Sequence, residues 1–149
     1  MLLETLSALF TRDLNRVKTE LSHYHDESTI WAVPPGITNS AGNLCLHLIG
    51  NLNTYIGGEL GQSGYVRYRE LEFSLRDVPR AVMLAQLDDT IGMVSQTLLA
   101  LEETRLNEEY PMLVFEQKTS TGYLLVHLAT HLGYHLGQIN YHRRLVGGR

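Results

Sequence analysis

The residues best equipped for chemistry in this chain are its histidines, seven in 149 residues. Four of them, His127, His131, His135 and His142, fall in one stretch. On a helix, residues four apart stand on one face about one turn apart, so His131 and His135 can present two imidazoles to a single point. A divalent ion takes imidazole nitrogens at about 2.0–2.1 Å, and a useful site needs a third ligand from elsewhere. His47 is the natural third, lying in another uncharged segment with Asn43 and Asn51 one turn to either side. A buried neutral imidazole needs a polar partner, and a metal ion is a good one. The competing reading is a purely structural stripe of hydrogen-bonded or solvated rings.

Other residues carry weaker signals. His127, one turn before His131, reads as a pocket wall or a residue behind the ligands, and Asn51 is grouped with it. Gln138 either orients a ligand or bonds a neighbouring helix, and packing is the simpler role. His142 sits beside Arg143 and Arg144 near a helix end, where cations suit the macrodipole. His23 and His25 close the first helix and are expected in solvent. Cys45 is two residues from His47, about 200° round the helix, and reads as a small core residue rather than a nucleophile. Glu59, Glu70 and Glu72 follow the second helix; any could reach the pocket, but solvent is expected for all three. No phosphate-binding Gly-rich loop, Ser-His-Asp order or dinucleotide fingerprint is present.

Four segments must position these groups. The first helix is predicted from about Leu3 to His25, with Leu6, Leu9, Phe10, Leu14, Val17 and Leu21 at helical spacing. The second opens at Asn39 or Ser40, a good N-cap, and ends at Gly57-Gly58. The third opens at Asp77 with Pro79 in its first turn and runs to about Leu101. The fourth runs from Ser120 or Thr121 to Leu145, with Gly147-Gly148 beyond its end. Residues 65–75 and 110–116 read as short extended pieces. Four helices of about 20–25 residues predict an all-α four-helix bundle, and its connections are long, roughly 13–20 residues. From Ser28 to Gly58, and again from Gly122 to His142, there is no Asp, Glu, Lys or Arg. The second and fourth helices are therefore expected to be the buried or partner-facing pair.

The run His127-Leu-Ala-Thr-His131-Leu-Gly-Tyr-His135-Leu-Gly-Gln138-Ile resembles the His-x3-His-x-Gly-Gln signature of the DinB/YfiT-like metalloenzyme family. The segment from Asn39 to Leu52 resembles that family's second-helix histidine motif, and the order of elements agrees over nearly the whole chain. The resemblance implies a bundle in up-down-down-up order with one divalent metal ion per chain, zinc or nickel for preference, held by His47, His131 and His135. The chain departs from the family at Leu136, where an Arg is usual before Gly-Gln; the ligand set is untouched. The family includes thiol-dependent transferases, so a low-molecular-weight thiol cosubstrate is one implication. Arg67, Arg69 and Arg76 are then the candidates for meeting its carboxylates.

Composition excludes other classes. With 12 Lys+Arg against 16 Asp+Glu the net charge is −4, which does not suit nucleic-acid backbones. The longest apolar run is Ala81 to Ala85, too short for a membrane span, and no secretory signal is expected. A single cysteine rules out an internal disulfide, and a cytoplasmic location is the default. Three functions stay open: a metal-dependent transferase or hydrolase acting on a small molecule, a non-catalytic metal-binding or stress-response protein, and a helical dimer module. Gly133 and Gly137, on a face without charge, favour a homodimer built on the charge-poor helices.

Overall fold

The structure of the chain, a computed structural model, describes residues 1–147. The spacing of apolar residues in the first segment produces α1, Leu2–Ser22, which buries Leu6, Phe10, Leu14, Val17 and Leu21 along one face. The second segment forms α2, Ala41–Leu52, opened by Ser40, whose hydroxyl accepts the Asn43 N–H at 3.1 Å. It leaves through a wider turn of π type over Asn53–Gly58. A short helix, α3, follows at Arg69–Ser74. Then come α4, Arg80–Ala100, and α5, Thr121–Gly147. The fold is all-α: five helices, four of them long, with no strand among the described residues. Helix α1 packs on α4 and α5, and α2 packs on α3, α4 and α5, around one core. None of these helices is long and apolar enough to cross a membrane.

Several boundaries differ from expectation. Asp77 does not cap α4. Its φ of 58° places it in the left-handed region, where a short polar side chain is among the few tolerated. Pro79 takes the cap position without a side-chain hydrogen bond. Residues 65–75 are not extended throughout, since they contain α3, and residues 110–116 form no strand; the nearest pairing is a single antiparallel bridge, Glu109 to Ser120. Gly147 is the last residue of α5 rather than a stop beyond it, and Gly148 lies outside the described residues.

The charge-free segments have two different fates. Every residue of α2 but Leu46 is buried, which accounts for its lack of charge. Helix α5 buries only one stripe, including Leu124, Leu125, Leu128, Leu132 and Ile139. Its other side exposes Tyr123, Val126, Tyr134 and Tyr141.

Candidate metal centre

The histidines of α2 and α5 converge. His47 is 7% exposed, and its Nε2 lies 3.2 Å from Nε2 of His131. The Nε2 of His135 lies 3.1 Å from the same atom. Donor atoms of these three residues all fall within 4.8 Å of one another, so the cluster could hold a metal ion. Two nitrogens bound at about 2.1 Å and roughly 90–110° apart are about 3.0–3.4 Å from each other. Both measured separations lie in that interval.

Hydrogen bonds on the far side of the rings decide which nitrogen carries the proton. His47 Nδ1 is 3.0 Å from Glu72 Oε1. A carboxylate only accepts, so His47 carries its proton on Nδ1 and leaves Nε2 bare. His135 Nδ1 is 2.7 Å from the carbonyl oxygen of Gln138, which by the same logic leaves His135 Nε2 bare. Two lone pairs thus point at His131, whose own Nδ1 is buried without a partner. His131 can donate one proton to one of them at most. At least one of these lone pairs is left without a proton, and a cation between the three nitrogens would engage all of them. The donor set therefore fits a divalent ion.

The electrostatics agree. Burial, then the neighbouring histidines, pushes the His131 pKa from 6.5 down to about 4. His135 is lowered mainly by burial. Burial alone would raise the Glu72 carboxyl, but hydrogen bonds from His47 and Arg67 outweigh it and hold Glu72 below its ordinary value. His131 and His135 are thus biased toward the neutral form that binds metal.

Other expected residues take varied places. His127 stacks loosely on His131, with ring centroids 6.3 Å apart, and meets Phe115 edge-on at 4.7 Å; it is outside the ligand cluster. Asn51 is buried with its Oδ1 unpaired, and among the described residues no hydrogen bond joins it to the three histidines. Gln138 bonds His135 rather than a neighbouring helix. Cys45 is fully buried and burial raises its thiol pKa to about 12, so it is no nucleophile.

Two expectations are corrected. Glu72 is not a solvated loop residue: it is 6% exposed and bonded to His47. The overlooked signal was Gly50, an interior glycine in α2 three residues after His47, where close approach by another group was to be suspected. His142 is not a surface cation at a helix end. It is 2% exposed, with Nδ1 2.7 Å from the Tyr24 hydroxyl and Nε2 2.8 Å from the Ala32 carbonyl. Of the three arginines, Arg67 lies nearest the histidines but is engaged by Glu72. Arg76 bonds Asn43 and two carbonyls, and Arg69 lies over the Phe73 ring.

Comparison with known proteins adds one finding. The family model described as DinB superfamily matches residues 1–139. No curated protein matches the chain.

Proposed function

The chain belongs to the DinB superfamily, and from that footing we propose that it is a divalent-metal protein working as a metal-dependent enzyme of the thiol-dependent transferase or hydrolase type. The observation that carries this is the convergence of three Nε2 atoms, two with their lone pairs aimed inward by Glu72 and Gln138. His47, His131 and His135 would hold the ion, zinc or nickel for preference, and three protein ligands leave it coordination positions for a small molecule. The chemistry such an ion supplies is polarisation of an oxygen or stabilisation of a thiolate. The chain's own residues do the rest. Glu72 and Gln138 set ring orientation, while Phe73 against His47 and Tyr134 against His135, at 5.0 and 5.4 Å, give the histidines an aromatic border. The long α2–α4 connection suits the up-down-down-up order of the bundle. A cytoplasmic homodimer completes the reading, supported by the uncharged outer side of α5.

A non-catalytic metal-binding or stress-response role is the second reading. It is favoured by one observation: the carboxylate that reaches the histidines is already held by His47 and Arg67. Metal analysis of protein made without a histidine tag tests both. One ion per chain is expected, lost in His131→Ala and His135→Ala and retained in His127→Ala. Wild-type-like metal content in His131→Ala would overturn the centre. Metal-dependent turnover in a thiol-conjugation or esterase screen supports the enzyme; stoichiometric metal with no turnover in either screen favours the second reading.

A further inference from the structure

Building on the three-histidine reading, we propose that Glu72 is a positioning residue for the metal centre, clamped by Arg67 and admitted to the site by Gly50. The Glu72 side chain is 7% exposed and uses both oxygens. Arg67 donates from Nε to Oε2 at 2.8 Å and from Nη2 to Oε1 at 3.0 Å, a fork that fixes the plane of the carboxylate. Oε1 also accepts the His47 Nδ1–H. That bond selects the tautomer and holds the ring so that Nε2 faces His131 and His135. Carboxylates placed behind a ligating imidazole commonly act in this way.

The backbone behind the carboxylate is pinned as well. A helix of six residues has little stability of its own, and α3 is attached to α2 through Asn43, whose Nδ2 donates to the carbonyls of Glu72 and Leu75, both at 2.9 Å. Gly50 makes the approach possible. A Cβ at that position would lie 1.8 Å from Glu72 Oε2 and 2.6 Å from its carboxyl carbon. Interior glycine costs a helix about 1 kcal/mol relative to alanine, so α2 accepts a weaker helix at the one place where the carboxylate enters. Gly50 lies three residues beyond His47, on the neighbouring face of the same helix. One gap therefore serves one ligand.

The test measures zinc affinity by competition with a chromophoric chelator, for wild type, Glu72→Ala, Glu72→Gln, Gly50→Ala and the double variant Gly50→Ala/Glu72→Ala. Loss of an orienting partner costs about 10–100-fold in metal affinity, and that loss is expected in Glu72→Ala and in Gly50→Ala. Glu72→Gln keeps an oxygen for the His47 N–H and should recover most of it. Because Gly50 acts only by admitting Glu72, Gly50→Ala should cost nothing further in the Glu72→Ala background. Affinity within twofold of wild type in Glu72→Ala, or an equal cost of Gly50→Ala in both backgrounds, overturns the proposal. Circular dichroism on each variant separates global unfolding from a local effect. Nitrogen-15 NMR of labelled histidine in the metal-free chain gives an independent reading: His47 should carry its proton on Nδ1 in wild type and Glu72→Gln, and shift toward Nε2 in Glu72→Ala. An unchanged tautomer in Glu72→Ala overturns the proposal even in a protein that binds no zinc, whereas failure of the wild type to bind zinc refutes the three-histidine reading alone.

Discussion

Replacing Tyr24 by Phe isolates one buried hydrogen bond whose direction the structure determines. His142 Nε2 faces the Ala32 carbonyl at 2.8 Å, and a carbonyl only accepts, so His142 carries its proton on Nε2. Its Nδ1 is then a bare acceptor, and the Tyr24 hydroxyl at 2.7 Å must be the donor. Both residues are nearly inaccessible, at 3% and 2% exposure, so water cannot readily replace the lost group. Phe keeps the ring, leaves only a hydroxyl-sized gap, and strands Nδ1. An unsatisfied buried acceptor costs about 1–3 kcal/mol, which for a chain of this size lowers the melting temperature by roughly 2–4 °C per kcal/mol. Urea denaturation of chelator-treated protein, followed by the fluorescence of Trp31, reads the loss; this single tryptophan is buried beside Ala32 in the same corner. Metal content should not change, because the bond joins the segment after α1 to the far end of α5. A loss below about 0.5 kcal/mol, the range of ordinary surface substitutions, would refute the argument that His142 is a sealed, fully satisfied histidine.

Two further outcomes follow from the same physics. Burial leads the downward shift of His131, to about 4, and of His135 and His142. Between about pH 6.5 and 4 the unfolded chain therefore binds protons that the fold refuses, and metal-free stability should fall as pH drops through that window and level off above it, His131 contributing about 1–2 kcal/mol after allowance for its partial exposure. Urea midpoints across pH 4–8 check this, and a midpoint independent of pH would contradict the burial of these rings. At Gly133 a Cβ would meet nothing within 4 Å in the single chain, so in a monomer Gly133→Ala should stabilise α5 by up to about 1 kcal/mol. In the proposed homodimer packed on this face the sign reverses and light scattering shows a weaker dimer; a wild-type mass near 16.8 kDa would rule the dimer out.

The parts of this molecule legible in its sequence are those with a periodic or compositional cause. Leu6, Phe10, Leu14, Val17 and Leu21 repeat at helical spacing and form the buried face of α1. Ser40 is a cap by type and by geometry. The histidines of α5 share a face by spacing, and absence of charge placed His47 on a buried helix. What escaped was non-periodic. Glu72 and Arg67 meet through a turn and a six-residue helix, too short to show a repeat. Asp77 has the composition of a cap, but it takes a left-handed conformation in the connection before α4, where a short polar side chain is tolerated. His142 stands beside two arginines in sequence, yet helical geometry turns it inward toward Tyr24.

The three buried or half-buried histidines of the centre differ from His142 in a way that bears on function. His142 has a partner on each nitrogen; it is a core residue, and its chemistry is closed. His47 and His135 each have a partner on Nδ1 and an exposed lone pair on Nε2 aimed at a shared point, and His131 has no partner on Nδ1 at all. A sequence selected only for stability would fill that point with apolar groups, since a half-satisfied buried network is worse than an apolar one. Here the elements around it are well satisfied: Asn43 ties α3 to α2, and Asn140 and Arg143 on α5 both bond Glu20 of α1 at 2.6 Å. Three nitrogens converge at this point, and a cation is a ligand that all three can bind at once. Local violations of otherwise consistent folding rules are expected at functional sites. In this chain the violation lies where α2 and α5 meet, with Glu72 of α3 bonded to His47 beside it.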